Sequence, residues 1–197
     1  MNILHIDSAT TGAASVSRAL TAKIVEKLKA DNTGADVVYR DLGTEPLAHL
    51  NPVLTGAIRF PEEDRTDDMK AAATSEKKVL DEFLVADVVV IGAPMYNFTI
   101  PSNLKSWIDR LGIPRVTFRY GENGVEGLAG GRRVIVASAA GGRYQPGEPP
   151  LTYHEGLIEA FLNFIGVTDI TFVRAHGVGV HGPDGAVEAA EEQIAAL

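Results

Sequence analysis

Short apolar runs of strand length recur along the chain, and longer segments with helical periodicity separate them. This alternation is typical of α/β folds, in which crossover helices join parallel strands. The runs at residues 88–91 and 134–137 are apolar at every position, as expected of central strands that helices cover on both faces. The pattern predicts five strands, at residues 2–7, 36–40, 86–92, 133–138 and 170–174.

The intervening segments predict five helices. In the first, Leu20, Ile24 and Leu28 recur at helical spacing, while Lys23 and Lys27 fall elsewhere on its surface. Five strands alternating with five helices predict a flavodoxin-like, doubly wound, five-stranded parallel sheet with helices on both faces. No repeat or linker divides the chain, so we expect one domain over residues 1–197. The helices are predicted at residues 15–30, 66–84, 102–110, 152–165 and 185–196.

Two segments are longer than simple connections. Residues 43–65 carry three prolines around a short apolar patch, a length sufficient for a functional loop or for reaching a neighbouring subunit. Residues 116–120 and 124–128, joined by residues 121–123, predict a hairpin between the third and fourth strands of the sheet.

Composition narrows the possible partners. The chain has 18 Lys and Arg residues against 26 Asp and Glu residues, a formal net charge of −8, with no concentrated basic patch. This balance disfavours binding to nucleic acid or to anionic membrane surfaces. The chain begins without a basic, apolar leader and has no apolar run near the ~18 residues of a membrane span, so we expect a cytoplasmic protein.

The sequence favours neither thiol chemistry nor a metal site. The chain has no cysteine, which excludes a disulfide framework and a cysteine nucleophile. Its five histidines show neither H-x-x-x-H nor H-E-x-x-H spacing, so we expect no bound metal.

The turn after the first predicted strand, residues 8–17, is rich in hydroxyl and small side chains. It leads into a helix N-terminus, where exposed N–H groups and the helix dipole favour an anion such as a phosphate. The turn contains no Lys or Arg, and Arg18 is expected to face outward, so neutral donors would hold the phosphate. A simple helix cap is the alternative, because serine and threonine are good N-caps.

Two further loops open on the same edge of the predicted sheet. Residues 94–101 follow the third strand and carry two aromatics and a methionine around Asn97, which suits a flat ring that also needs a hydrogen bond. The alternative is a buried loop whose aromatics fill the core. Gly141 and Gly142 follow the fourth strand, where glycine lets the backbone approach a ligand, although such a pair also makes an ordinary turn. A phosphate cradle, an aromatic wall and an amide-lined shelf at the topological switch point together suit FMN.

Two other motifs fail on context. Residues 177–182 match G-x-G-x-x-G, but too little chain follows for the rest of a dinucleotide-binding unit. Residues 102–105 match S-x-x-K, but neither S-D-N nor K-T-G accompanies them, which argues against an acyl enzyme.

Several motifs, in order and over essentially the whole chain, resemble the FMN-dependent NADH azoreductases, also called FMN-dependent NADH:quinone oxidoreductases. The resemblance rests on Ser15-Val16-Ser17, the Pro-Met-Tyr-Asn-Phe loop at residues 94–98, residues 116–120, 126–128 and 164–169, and Gly141-Gly142. It implies a flavodoxin-like homodimer with FMN near the subunit interface, reduced by NADH or NADPH and oxidised by quinones or azo compounds. The implied mechanism is ping-pong, with the redox chemistry on the flavin rather than on a catalytic side chain.

The resemblance also assigns residues to the cofactor, and the sequence offers candidates for contact with the acceptor. Many members have a serine at the position of Ala9, and whether Ser8 or Thr10 replaces it is left open. Arg59 is a candidate for attracting an anionic acceptor or the nicotinamide cofactor, and the alternative is an exposed arginine with no role. Phe118, Tyr120 and Phe161 are candidates for the acceptor pocket or for ordinary core or interface packing. The expected FMN-binding residues are Ser8, Ala9, Thr10, Ser15, Val16, Ser17, Pro94, Met95, Tyr96, Asn97, Phe98, Ser138, Ala139, Ala140, Gly141 and Gly142.

Two other functions fit the same residues. A flavodoxin-like electron carrier would bind FMN without reacting rapidly with NADH, and a flavin-free phosphate-binding domain would purify as a colourless protein.

Overall fold

A parallel sheet of five strands forms the centre of the fold in the computed structural model, which describes residues 1–122, 124–144 and 152–197. The strand order is β2-β1-β3-β6-β7, so the order reverses between β1 and β3, as predicted for a flavodoxin-like sheet. A separate antiparallel pair, β4 and β5, confirms the hairpin predicted between the third and fourth strands of the sheet. Asn123, in the predicted link of this hairpin, lies outside the described residues. The strands are β1 (Asn2–Asp7), β2 (Asp36–Asp41), β3 (Val88–Pro94), β4 (Phe118–Gly121), β5 (Gly124–Gly127), β6 (Arg133–Ala140) and β7 (Asp169–His176).

Helices cover both faces of the sheet. Alternate residues of β3 enter two separate apolar clusters, with Val89 and Ile91 on one face and Val88 and Val90 on the other. This alternation explains why the central strands are apolar at every position. The helices are α1 (Val16–Asp31), α2 (Pro52–Arg59), α3 (Asp67–Val85), α4 (Ser102–Ile108), α5 (His154–Phe164), α6 (Val178–Glu188) and α7 (Glu191–Ala195).

The proline-containing segment at residues 43–65 holds a helix that the sequence pattern missed. Asn51 caps α2 by accepting a hydrogen bond of 2.9 Å from the Leu54 amide, and Pro52 occupies the first helical turn. An Asn-Pro start is an N-terminal helix signal, because proline there sacrifices no internal hydrogen bond.

The C-terminal helical region begins earlier than predicted. The sequence predicts one helix at residues 185–196, whereas α6 begins at Val178 and α7 follows it. Gly182 interrupts α6 with φ 72° and ψ 169°, and Pro183 follows. Because glycine and proline both disfavour helix, the sequence pattern does not indicate the turn of α6 that precedes them.

The strand β2 forms one edge of the sheet and leaves Val37, Val38 and Tyr39 exposed. Among the described residues, no helix combines the length and the apolar character needed to cross a membrane.

Candidate functional site

A shallow pocket of about 190 Å³ lies where β3 and β6 end and α1 begins. Its walls come from the three loops that the sequence places at the same sheet edge. None of the side chains that line it is charged. The lining residues are Thr11, Ala14, Ser15, Val16, Ser17, Pro94, Met95, Tyr96, Ala139, Ala140, Gly141 and Val178.

The N-terminus of α1 presents neutral donors to this pocket. Ser15 is the N-cap, and its hydroxyl accepts a hydrogen bond of 3.3 Å from the Arg18 amide. The hydroxyls of Ser15 and Ser17 lie 3.1 Å apart. The amides of Val16 and Ser17 belong to the first helical turn and have no partner within the helix. Backbone amides, two hydroxyls and the positive end of the helix dipole therefore meet at one place, an arrangement that can bind an anion without a basic side chain.

Arg18 does not face outward, so that prediction is wrong. Its side chain is only 15 % exposed and forms an ion pair with Asp41 at the end of β2. It also donates a hydrogen bond of 3.0 Å to the Ala9 carbonyl and another of 3.0 Å to the Tyr39 hydroxyl. The guanidinium of Arg18 therefore pairs with carboxylates of β1 and β2 behind the turn.

Burial and neighbouring charges behind the turn shift the pKa values of Asp7, Tyr39 and Asp41. The hydrogen bond from Arg18 lowers the pKa of Asp41. Burial raises the pKa of Asp7, but hydrogen bonds and the charge of His5 outweigh burial, so the net shift is downward. Burial, together with the nearby Asp7 carboxylate, raises the pKa of Tyr39 to about 12. The cluster therefore consists of ionised carboxylates and a neutral phenol around one guanidinium.

Ser8 and Thr10, the two possible replacements for the family serine at the position of Ala9, lie in different surroundings. The Ser8 hydroxyl is buried and donates its proton to the Gly92 carbonyl in a hydrogen bond of 2.6 Å. Thr10 is exposed, and its hydroxyl lies 2.9 Å from the hydroxyl of Tyr96. Thr10 therefore connects the opening turn to the aromatic loop.

Gly43 lies against the opening turn from the side of β2. A Cβ at this position would meet the Ala9 carbonyl oxygen at 2.2 Å and the Arg18 guanidinium at 2.7 Å. Only glycine fits this close approach, which fixes where the turn lies.

The aromatic loop closes in a tight turn with two left-handed residues that are not glycine. Asn97 has φ 49° and Phe98 has φ 69°, and Tyr96 and Thr99 exchange backbone hydrogen bonds of 2.8 and 3.1 Å. Two consecutive positive φ angles define a type I′ turn, whose usual residues are asparagine and glycine. A phenylalanine there is strained, and such strain concentrates at functional sites. The Phe98 ring is also 45 % exposed, so burial in this chain does not explain it.

The aromatic loop is tied to the loop after β6. The Met95 amide donates a hydrogen bond of 2.7 Å to the Ala139 carbonyl. The rings of Phe98 and Tyr144 meet edge to face, with centroids 6.4 Å apart. The Tyr153 amide donates a hydrogen bond of 2.7 Å to the Phe98 carbonyl. The two loops therefore form one connected wall.

The glycine motif at residues 177–182 supports the third loop. The Gly179 amide donates to the Gly141 carbonyl at 2.9 Å, and the Gly177 amide donates to the Gly142 carbonyl at 2.9 Å. Because C=O and N–H point oppositely across a trans peptide, these bonds turn the amides that follow each carbonyl away from α6. The motif thus orients the two peptide groups that contain the carbonyls of Gly141 and Gly142.

Ser138, one of the expected FMN-binding residues, is not among the residues that line the pocket. Its buried hydroxyl lies 2.6 Å from Glu155 Oε1, 2.9 Å from His154 Nε2 and 3.1 Å from His176 Nε2. Burial lowers the pKa of His154 to about 4. The pKa of Glu155 falls to about 2, because hydrogen bonds from His176, Arg174 and Ser138 outweigh its burial. Sequence spacing missed this cluster, since it joins the start of α5 to Ser138 of β6 and His176 of β7.

The four residues considered for the acceptor do not line the pocket within this chain. Phe118 is 7 % exposed, and its ring centroid lies 4.6 Å from that of Phe164, so it packs as a core residue. Phe161 is partly buried against the same apolar cluster. Tyr120 is 75 % exposed on the hairpin, and Arg59 is exposed at the end of α2.

Comparison with known proteins extends over the whole chain. A family model described as "Flavodoxin-like fold" matches residues 1–197. The chain is 47 % identical over 197 residues to FMN-dependent NADH:quinone oxidoreductase 2 of Pseudomonas aeruginosa, covering 99 % of this chain and 97 % of that protein. It is 49 % identical over 202 residues to an FMN-dependent NADH:quinone oxidoreductase of Sinorhizobium fredii, covering 99 % and 96 %.

Solved structures show the same similarity. An azoreductase from Bacillus anthracis superposes with a TM-score of 0.89 at 26 % identity, covering 100 % of this chain and 97 % of that one. An FMN-dependent NADH-azoreductase from Bacillus anthracis, solved in complex with FMN, gives a TM-score of 0.87 at 26 % identity, covering 98 % and 96 %.

Proposed function

Because the chain belongs to the family of FMN-dependent NADH:quinone oxidoreductases, which has a flavodoxin-like fold, we propose that it binds FMN and transfers electrons from NADH to quinones. The family resemblance expected from the sequence motifs is confirmed by these relatives. The observation that carries the proposal is the uncharged anion cradle at the start of α1, joined to a strained aromatic turn at the same sheet edge.

The described residues fit FMN. The amides and hydroxyls of Ser15, Val16 and Ser17 would hold the phosphate, with Thr10 beside them. The first-turn amides need an acceptor, and a phosphate provides several oxygens. The loop at residues 94–98 would lie against one side of the flavin, and residues 139–142 would face its polar edge.

When bound, FMN supplies a ring that accepts a hydride from NADH and returns the electron pair to an acceptor. The chain binds the phosphate, orients the ring and leaves one face accessible. The peptides of Gly141 and Gly142, held by the amides of Gly179 and Gly177, would direct N–H groups at the pyrimidine edge. A quinone gains two electrons and two protons in total, and water can supply the proton that the hydride does not.

We further propose that NADH and the acceptor use the same accessible face in turn, which gives ping-pong kinetics. Azo compounds would be cleaved to two amines by two turns of the same cycle, because the cleavage takes four electrons and four protons, and each NADH supplies two electrons. Initial rates at several fixed quinone concentrations should then give parallel double-reciprocal lines against NADH. Intersecting lines would contradict a shared face.

A homodimer is part of the proposal. The pocket is shallow at about 190 Å³, and Phe98 beside it is exposed. A second copy that covers this edge would complete the walls, and exposed Tyr120 and Arg59 would then be available to the neighbouring site. Sedimentation of the FMN-loaded protein should give twice the 21.0 kDa chain mass. A monomer would contradict this arrangement.

An anaerobic absorbance spectrum of the FMN-loaded protein, recorded before and after NADH, tests the function. Bleaching of the flavin band directly to the fully reduced spectrum, followed by recovery with a quinone, is the expected result. An unchanged flavin band would favour an electron carrier, and failure to bind FMN would contradict the proposal altogether.

A matched pair of serine variants locates the cofactor. Ser17→Ala removes a hydroxyl from the proposed phosphate cradle, whereas Ser75→Ala removes an exposed hydroxyl that donates to the Ala72 carbonyl in its own helix. We expect Ser17→Ala alone to weaken FMN binding, by about tenfold, the size of one hydrogen bond to a charged group. Equal affinities would place the phosphate elsewhere.

A further inference from the structure

A second polar cluster lies on the other side of β6 from the FMN pocket. His154 and Glu155 begin α5, and His176 ends β7, so the fold brings together side chains that are distant in sequence. Glu155 Oε1 lies 3.9 Å from His154 Nε2 and 3.6 Å from His176 Nε2. All three approach the Ser138 hydroxyl, at distances between 2.6 and 3.1 Å.

The three side chains each offer one ligand atom, and these atoms all lie within 4.8 Å of one another. Two imidazole nitrogens and one carboxylate oxygen form a donor set typical of zinc sites that keep a fourth position open. Imidazole nitrogens favour zinc and its transition-metal neighbours over magnesium and calcium, which prefer oxygen ligands alone. We propose that His154, Glu155 and His176 bind a divalent transition-metal ion of the Zn²⁺ class.

Within the part of the chain that the structure describes, this cluster is open to solvent. A cleft of about 770 Å³ opens beside it and is lined by His154, Glu155, His176 and Arg174 among others. The His154 side chain is 2 % exposed and forms the floor, while His176 and Glu155 are 17 % and 19 % exposed. The Ser138 hydroxyl, or a water in the cleft, would complete the coordination.

Arg174 competes with the ion for Glu155. It donates hydrogen bonds of 2.8 to 3.0 Å to both carboxylate oxygens of Glu155, and its side chain is 48 % exposed. Glu159 lies one helical turn beyond Glu155 and lines the same cleft, so it offers the displaced guanidinium another carboxylate. Metal binding therefore exchanges one ion pair for another rather than leaving Arg174 without a partner.

The site is independent of the proposed FMN function. The pocket at the α1 N-terminus contains none of His154, Glu155 and His176. Ser138 and Ala139 are neighbours in β6, and their side chains point to opposite faces of the sheet. Metal binding and FMN binding are therefore separate measurements, and either can fail without the other.

Titration of Zn²⁺ into the untagged full-length protein, in competition with a chromophoric chelator, tests the proposal. We expect one ion per chain. Loss of an outer-shell partner alone weakens metal binding roughly tenfold. His176→Gln and Glu155→Gln each remove a proposed ligand, so each should weaken Zn²⁺ binding by at least that factor. His181→Gln, which changes a histidine outside the cluster, should leave Zn²⁺ affinity unchanged. Mg²⁺ should not compete.

Arg174→Gln separates a metal site from a purely structural ion pair. Removing the competitor frees the Glu155 carboxylate, so Zn²⁺ affinity should rise several-fold. Zn²⁺ should also raise the melting temperature of the wild-type protein and of His181→Gln, but not of His176→Gln, because an ion that binds only the folded state stabilises it.

Three results would overturn the proposal. These are absence of stoichiometric Zn²⁺ binding by the wild-type protein, equal affinities for His176→Gln and His181→Gln, and weaker binding by Arg174→Gln. A folded His176→Gln variant, checked by its melting temperature and its FMN affinity, keeps loss of binding distinct from loss of structure.

Discussion

The guanidinium of Arg18 donates a hydrogen bond of 3.0 Å to the carbonyl oxygen of Ala9 and so ties the first turn of α1 to the chain that leaves β1. The same guanidinium forms an ion pair with Asp41. One side chain therefore holds the opening turn against two strands.

Arg18→Gln should weaken FMN binding by about tenfold, the size of one hydrogen bond to a charged group, because the turn loses its anchor while the cradle residues stay unchanged. Quenching of FMN fluorescence during titration measures the affinity. Lys23→Gln is the matched control, since Lys23 lies on the same helix in an exposed ion pair with Glu191. Similar losses in both variants would contradict an anchoring role for Arg18.

The variants Phe98→Gly and Phe98→Ala distinguish the backbone strain at residue 98 from the proposed contact between the Phe98 ring and FMN. Both variants remove the ring, so both should weaken FMN binding to a similar extent. Glycine adopts the left-handed conformation freely, so Phe98→Gly should be more stable than Phe98→Ala by about 1 kcal/mol. Urea unfolding of the FMN-free proteins measures this difference. Equal stabilities would show that the turn relaxes in the variants.

Gly43→Ala should impair FMN binding by displacing the opening turn, because the added Cβ would meet the Ala9 carbonyl at 2.2 Å. Gly156→Ala is the control, since a Cβ there meets nothing within 4 Å and the position is helical. That control should keep its FMN affinity and gain about 0.5 to 1 kcal/mol in stability. A Gly43→Ala protein with normal FMN affinity would show that the turn tolerates the shift.

Stability should fall in acid partly through Asp41. The hydrogen bond from Arg18 lowers the pKa of Asp41 in the folded state. A lowered folded pKa adds stability above the unfolded value of about 3.9, and this stability is lost as pH falls through the folded value. Urea midpoints between pH 7 and pH 3 should therefore fall less steeply for Asp41→Asn than for the wild type. Asp31→Asn, in an exposed ion pair with Lys27, should follow the wild-type slope.

The sheet could be predicted from the sequence because burial on both faces makes central strands apolar throughout. The bounds of β1, residues 2–7, agree with the structure at both ends. The shared position of the three loops that line the pocket could be predicted from the sheet, since parallel strands end at one edge.

Side-chain direction could not be predicted in the same way. Helical spacing places Arg18 near the start of α1, but the ion pair that turns its side chain inward depends on Asp41 at the end of β2. His154 and His176 share no spacing motif, and their ring centroids lie 6.0 Å apart because the fold brings the start of α5 to the end of β7. Contacts between elements determine these positions.

The proposed phosphate cradle has no cationic side chain, which determines how FMN binding should depend on ionic strength. Salt weakens binding that depends on ion pairs, because counterions screen the charges. The pocket lining has no charged side chain, and the chain carries a formal net charge of −8, so the surrounding field repels a phosphate dianion. Added salt screens that repulsion more than it screens the short-range amide contacts. The protein should therefore retain its cofactor in concentrated salt and take it up faster there than in dilute buffer.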